Sequence, residues 1–289
     1  MKVSGFTIVR NAIKFDYPIV EAILSILSIC DEVIVAVGKS DDDTLALIKS
    51  ISSPKIRILE TVWDDTLREG GKVLAEETNK AFHAISKDSD WAFYIQGDEV
   101  IHEKYLPEIK AAMEKYKDDK SVEGLLFDYV HFYGSYDFVG DSRRWYQKEI
   151  RVVRNDLSIS SYKDAQGFRK NGEKLKVKQI AASVFHYGWV KPPELQQAKQ
   201  QSFHKMWHDD QWLEKNIFQA AAFDYSEIDS LKKFEGSHPT VMSKRISTKN
   251  WKFNFDPTKK KFSAKTKIIF LIEKIIGKRI GEYKNYKIL

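Results

Sequence analysis

Hydrophobic and polar positions in the N-terminal part of the chain read as strand and helix in turn. Val3–Val9 is a short β-prone run. Over Tyr17–Ile29 the apolar residues Ile19, Ala22, Ile23, Ile26 and Leu27 fall on one helical face. Val33–Val37 is a continuous apolar run, the pattern of a parallel strand buried on both faces. The polar turn Gly38–Thr44 caps a helix over Thr44–Ile51. Lys55–Leu59 predicts a third strand, Lys72–Ile85 a helix and Trp91–Ile95 a fourth strand. Strands alternating with helices define βαβ units, hence an α/β fold with a mostly parallel central sheet. Another helix is predicted over Tyr105–Tyr116. The pattern then changes to aromatic-rich strands at Leu125–Tyr133, Ile150–Arg154 and Ala182–Tyr187, and to helix over Glu194–Ala222.

Composition narrows the class. With 289 residues, 43% hydrophobic and 13% aromatic, the chain is globular and can bury a sizeable core. A single cysteine, Cys30, excludes an internal disulfide framework and points to a reducing compartment. The start, MKVSGFTIVRN, carries no apolar stretch of secretory length, and the apolar run Ile268–Ile272 is far short of a membrane span. A cytoplasmic location is expected. The net charge of +6 is uneven. Lys259–Leu289 holds ten Lys/Arg and two Asp/Glu, a net of +8, which leaves −2 on the other 258 residues. A near-neutral body with a basic tail argues against a nucleic-acid partner and for a tail that meets an anionic surface.

In open α/β sheets ligands sit beyond the carboxyl ends of the strands. Two polar clusters fall at that edge. Asp98-Glu99 follows the fourth strand. Adjacent carboxylates suit a hard cation such as Mn²⁺ or Mg²⁺ shared with a phosphate; the plain alternative is a solvated loop or a helix N-terminus. Ser40–Thr44 offers hydroxyls and carboxylates to a base or ribose, or simply caps a helix. No Gly-rich phosphate loop is present. His186, within Val184–Trp189, is a metal or phosphate ligand or a packed histidine. His204 and His208 share a helix face, but lack the Glu of a zinc-protease motif and read as surface or interface residues. Asp164 stands in a basic, aromatic stretch as a general base or a turn residue.

Taken together, Thr7–Asn11, Asp31–Val35, Ser40-Asp41-Asp42-Asp43-Thr44, Trp63, Asn79-Lys80-Ala81 and Trp91–Glu99 resemble the family-2 glycosyltransferases of the GT-A fold. Asp164–Phe168 and His186–Trp189 resemble the second half of bacterial members. The resemblance covers Met1 to Pro193 and is more specific in its N-terminal half. It implies a GT-A-like nucleotide-binding fold with a helical C-terminal extension. The domains it implies are a core over 1–193, a helical extension over 194–258 and a basic amphipathic tail over 259–289.

The implied activity is inverting transfer of a sugar from a nucleoside diphosphate sugar to an acceptor hydroxyl, in bacterial surface-glycan synthesis. The resemblance places the metal on Asp98, with Glu99 and His186, and the donor on Val9, Asn11, Ser40, Asp42, Gln96, Arg151 and Arg169. Asp164 is the implied general base, with Glu149 and Asp141 behind it; Arg154 joins the diphosphate candidates, for which plain surface charge is the equal alternative. Two departures stand out. Gln96 replaces the first Asp of the family's D-x-D, and Val37 replaces an Asp that recognises the base. Gln96 keeps open a non-catalytic nucleotide-sugar-binding protein on the same fold. Sugar-phosphate nucleotidyl transfer is a further alternative, although Val3–Asn11 lacks the Gly-rich loop it needs.

In the tail, Ile268, Ile269, Leu271, Ile272, Ile275, Ile276 and Ile280 recur at helical spacing, flanked by Lys265, Lys267, Lys274, Lys278 and Arg279. A basic amphipathic helix lies in an anionic membrane interface, or packs on its own body or a second subunit. A lipid-linked acceptor would make peripheral membrane contact useful.

Overall fold

The structure, a computed structural model, describes all residues except 68, 209, 210, 213, 214, 216–219 and 278, and omits the side chain at 274. Lys278 of the basic tail therefore lies outside the described residues. Strands β1 (Val3–Val9), β2 (Glu32–Gly38), β3 (Ile56–Thr61) and β4 (Trp91–Tyr94) are parallel, in the spatial order β3-β2-β1-β4. Every residue of β1, β2 and β4 is buried, which is why Val33–Val37 of β2 and all of β4 read as unbroken apolar runs.

The two faces of β2 sort its residues by period two. Val33, Val35 and Val37 join the layer of α1 (Ile19–Leu27), α2 (Thr44–Lys49) and α4 (Leu106–Lys115), through Ile19, Ile23, Ile26, Ile48, Ile109 and Met113. Ile34 and Ala36 join the layer of α3 (Lys72–His83), through Ala81 and Phe82 with Phe6 and Tyr94. Each fully buried Ile or Phe here contributes about 1.5–3 kcal/mol of transfer free energy. Cys30 is a buried free thiol in the first layer, and burial pushes its pKa up.

Beyond β4 the sheet becomes mixed. Strand β8 (Lys148–Arg154) runs antiparallel to β4, and β6 (Gly124–Tyr133) antiparallel to β8. Strand β12 (Lys176–Trp189) lies parallel to β6 and carries β5 (Glu99–Ile101) antiparallel, so that His186 faces both His131 and Glu99 in register. Strands β7 (Ser135–Gly140) and β13 (Leu231–Lys233) complete one edge, and β14 (Lys287–Ile288) pairs with β12. A small sheet of β9 (Ile159–Tyr162), β10 (Gly167–Lys170) and β11 (Glu173–Lys174) holds the Asp164 turn between its first two strands.

One expectation for the C-terminal half needs correction. The helix expected over Glu194–Ala222 is interrupted: α5 (Pro193–His204) ends in a turn at 205–208, residues 211, 212 and 215 are again helical, 220–222 are not, and 209, 210, 213, 214 and 216–219 lie outside the described residues. Farther along, β13 and β14 each add backbone hydrogen bonds to the main sheet. A short helix, α6 (Ser243–Ser247), precedes the tail helix α7 (Ala264–Ile276). Ser263 caps α7 by accepting from Thr266 N at 3.1 Å, and Gly277 ends it at φ 72°, where a residue without Cβ is favoured.

Candidate active site

The chain leaves β1 toward β2 on one side and returns to β4 on the other. The crevice at the carboxyl ends of β1 and β4 is thus a topological switch point, where ligands of open α/β sheets sit. Asn11 follows β1, Ser40 follows β2 and Asp98 follows β4.

The first two turns are knitted together. Asn11, at φ 57°, donates from N to Ser40 Oγ at 3.0 Å and accepts from Asp41 N at 2.8 Å. Ala12 N donates to Thr44 Oγ1 at 2.7 Å and Lys14 N to Asp42 Oδ2 at 2.7 Å. Thr44 donates to Asp42 through both N and Oγ1. Burial would raise the Asp42 carboxyl, but the Thr44 hydroxyl and the backbone donors outweigh it and hold it below the usual carboxylate range. The hydroxyls and carboxylates expected to face a nucleotide are thus engaged in shaping the crevice wall. Val9 ends the buried strand beneath them.

Asp98 is the charged centre of the crevice. Its Oδ2 lies 3.1 Å from Lys199 Nζ and 3.7 Å from His186 Nε2. Burial alone would raise the carboxyl; Lys199 and His186 override it and hold it well below the usual range. Lys199 also donates to Gly188 O at 3.0 Å and stands over the Tyr17 ring. Lys191, fully buried, donates to Phe15 O at 2.6 Å and stands over the same ring. Burial, helped by nearby Lys199, lowers its pKa well below the ordinary value. His186 Nδ1 meets His131 Nδ1 at 3.3 Å, and His131 Nε2 bonds Tyr146 O at 3.0 Å. Burial, and then His186, hold His131 well below its usual pKa, so it is neutral. The contacts make a chain from Asp98 through two imidazoles to the backbone.

Asp98 and His186 are therefore brought together as expected for a site, whereas Glu99 points away. Fully buried, Glu99 accepts from Arg151 Nε at 2.7 Å and Nη2 at 2.5 Å, from Gln96 N at 3.1 Å and from Tyr129 Oη. Arg151 is equally buried, so its charge is spent on Glu99. Arg154 lies over Trp91 and donates to the carbonyls of Tyr116, Lys117, Asp119 and Val122, closing the end of α4. Arg169 donates to the carbonyls of Phe168 and Asn285 and lies over Tyr162. All three arginines hold the fold together at the positions where phosphate binding was expected.

Gln96 donates through Nε2 to Ala165 O at 3.1 Å and so anchors the turn that carries Asp164. That turn places Lys163 and Ala165 at φ 54° and 62°, a region most residues avoid. Asp164 Oδ1 accepts from Gln166 Nε2 at 2.7 Å. Gly71 passes so close that a Cβ there would stand 2.8 Å from Asp164 Cβ. Glu149 is buried on β8; burial pushes its carboxyl up to about 8 against the pull of Arg151. Asp141 pairs with Lys260 at 2.8 Å. His204 and His208 stack on one another and on Trp212.

Among the described residues no cluster of three or more His, Cys, Asp or Glu is placed to hold a metal ion. Asp98 and His186 supply two donors, and the Lys199 ammonium stands where a cation would share Asp98. As arranged, the donor set does not fit a divalent ion. Lys191, Lys199 and His131 were not singled out from the sequence. Lys191 carried a weak signal, since it follows an apolar strand directly in Gly188–Pro192; Lys199 carried none among the other polar residues of its helix.

The parallel half-sheet, its antiparallel extension and the switch-point crevice make an open α/β fold with its candidate site at the carboxyl ends of β1 and β4. No family model and no curated protein matches the chain. Solved structures do. S. aureus TarS (1–349) matches at TM-score 0.40 and 14% identity, over 70% of this chain and 64% of that one. Glucosyl-3-phosphoglycerate synthase from Mycobacterium tuberculosis, in complex with Mn²⁺, UDP-glucose and phosphoglyceric acid, matches at 0.30 and 19%, over 45% and 43%. 4-Diphosphocytidyl-2C-methyl-D-erythritol synthase from Anaerococcus prevotii matches at 0.34 and 15%, over 54% and 72%. The chain thus spans under two thirds of the first of these.

Proposed function

We propose that this chain is an inverting glycosyltransferase that moves a sugar from a nucleoside diphosphate sugar to an acceptor hydroxyl. The observation that carries the reading is the Asp98–Lys199–His186 cluster at the switch point. A half-buried carboxylate holding an ammonium at a crevice is poised to present that cation to a diphosphate. In the proposed step the acceptor oxygen bonds to the anomeric carbon as the carbon–diphosphate bond breaks. Asp164 takes the acceptor proton. Lys199, with His186, counters the charge that builds on the leaving diphosphate. A divalent cation is the alternative counter-charge; Asp98 and His186 would hold it once Lys199 moved aside.

The tail supports an acceptor presented at a membrane, as in lipid-linked surface-glycan assembly. Helix α7 meets the body through half-buried Ile269 and Phe270 and buried Glu273, which pairs with Arg143. Its other apolar residues face out: Ile268 is 60% exposed, Leu271 62% and Ile275 79%. Exposed Lys265 and Lys267 lie alongside. An apolar face turned from the body and flanked by lysines is what an anionic bilayer interface takes up. Among the described residues no helix is long and apolar enough to cross a membrane.

A thermal-shift screen of nucleoside diphosphates and their sugars, with and without Mn²⁺, tests the reading. A donor at about 100 times its Kd stabilises by ~2.7 kcal/mol, roughly 5–10 °C. The expected result is a rise with one nucleotide class, lost in Lys199→Met and independent of Mn²⁺. A rise only with Mn²⁺, lost in Asp98→Asn, selects the divalent cation. No rise with any nucleotide, in folded protein, overturns the donor site.

A further inference from the structure

Three cations from distant parts of the chain converge on one short segment, Phe15–Tyr17, beside the crevice. Lys191, fully buried, donates to Phe15 O at 2.6 Å. Arg245, on α6, donates to Tyr17 O at 3.3 Å and pairs with Asp16 and, at 3.1 Å, with Glu21. Lys199 Nζ stands 4.9 Å from the centre of the Tyr17 ring and Lys191 Nζ 4.7 Å. The segment is also fixed from within. Asp16 sits at φ 47°, Phe15 N donates to Asn11 O at 3.1 Å and Tyr17 N to Ala12 O at 2.8 Å. Pro18 follows and restricts the backbone of Tyr17.

Two of these features carry a cost. A buried ammonium gives up its hydration, and a residue other than glycine at positive φ is uncommon. Such costs persist where the surroundings over-determine a conformation, and they gather at binding sites. What they fix here is the Tyr17 side chain. Its amide, carbonyl and ring are all engaged, yet its hydroxyl makes no hydrogen bond among the described residues. The hydroxyl is not sealed away as the unpartnered Trp207 Nε1 is: the residue is half-buried and the hydroxyl keeps contact with solvent. Burial raises the phenol pKa, the Lys199 ammonium draws it down and the Asp98 carboxylate raises it again. The hydroxyl thus keeps its proton and lies within reach of both charges at the centre of the crevice. An O–H donor beside an ammonium suits an anionic oxygen, and hydrogen bonds to charged acceptors are the strong ones.

We infer that Tyr17 is a ligand-binding residue of the crevice, its hydroxyl donating to a phosphate oxygen of the group that Lys199 meets, with Lys191 and Arg245 as the positioning residues that hold it there. The inference deepens the proposed donor site and rests on that reading for the nucleotide; a bare diphosphate is enough for Tyr17 and Lys199 to act together.

Titration calorimetry on the full chain tests this, with UDP, GDP, CDP and ADP as nucleotide probes and inorganic pyrophosphate as the probe without a base. Tyr17→Phe is expected to weaken whichever of these probes binds by about tenfold. Its melting temperature should match wild type, because the ring and the cations around it remain. Arg245→Met, which releases Tyr17 O, is expected to weaken binding in the wild-type background and to add nothing in Tyr17→Phe, a non-additivity that general loosening of the fold would not give. An additive loss overturns the positioning role of Arg245. Nucleotide binding that Tyr17→Phe leaves unchanged overturns the inference and keeps the donor site. Pyrophosphate binding that falls in Tyr17→Phe, with no nucleotide bound, overturns the donor site and keeps the inference. Binding of no probe at all, in folded protein, overturns both.

Discussion

Glu99 offers the sharpest test of what the carboxylates after β4 do. Its two oxygens accept from four donors: Arg151 Nε and Gln96 N at one, Arg151 Nη2 and Tyr129 Oη at the other. In Glu99→Gln one oxygen becomes an amide NH2. Facing Arg151 Nε and Gln96 N it loses two hydrogen bonds; facing Arg151 Nη2 and the Tyr129 hydroxyl, which can turn to accept, it loses one. The Arg151 guanidinium, fully buried, is left with Glu149 at 3.9 Å as its nearest carboxylate. Breaking one side of a buried ion pair costs about 3–5 kcal/mol. At ~2–4 °C per kcal/mol that is a drop in Tm of roughly 6–20 °C. Calorimetry of wild type and Glu99→Gln reads it directly. The double variant Glu99→Leu/Arg151→Met recovers much of the loss, because the uncompensated charge is removed with its partner. If Glu99→Gln melts with wild type while nucleotide binding loses its response to Mn²⁺, Glu99 is a metal ligand and the reasoning fails.

Three further outcomes follow from the same geometry. Stability should fall as pH drops below about 6.5: burial holds His131 and His102 below that ordinary value, so the unfolded chain binds more protons there, at up to ~1.4 kcal/mol per pH unit for each group. Urea midpoints from pH 8 to 5 measure the slope, which His131→Gln should reduce. Glu149, raised to about 8 in the fold, stabilises fully below its unfolded value and loses that stability as pH rises toward 8. Glu149→Gln should therefore gain roughly 1–4 kcal/mol at pH 8 and little at pH 4, and an unchanged pH profile would contradict a buried, unpaired carboxyl. At the tail, Ile272→Glu and Ile275→Glu should each weaken binding to vesicles containing phosphatidylserine by about tenfold or more. Lys265→Gln should weaken it about fivefold, at ~1 kcal/mol per cation; equal binding by all variants in a sedimentation assay would remove the membrane surface.

The local pattern determined the parallel half of the fold. Strands such as Val33–Val37, buried on both faces, have nowhere to put a polar side chain, so their identity is written in consecutive residues. The periodicity of Ile19, Ile23 and Ile26 likewise follows from one helix face meeting one layer. The crevice was legible for the same reason, since ligands gather at strand ends and Asp98 follows β4 directly. Charges were not legible. A carboxylate reads the same in sequence whether it faces a cation in the crevice, as Asp98 does from the turn closed by Glu99 N on Gln96 O, or an arginine in the core, as Glu99 does at the start of β5. The partners that decide between them come from far away, Lys199 across 101 positions and Arg151 across 52. Only the tertiary structure could also turn the apolar positions of α7 outward, because amphipathic spacing fixes which residues share a face and not what that face meets. The pairing of β14 with β12 is of the same kind. Two residues carry no periodicity, and only the backbone groups left open along β12 determine that the C-terminus ends there, with Asn285 beside Gly167.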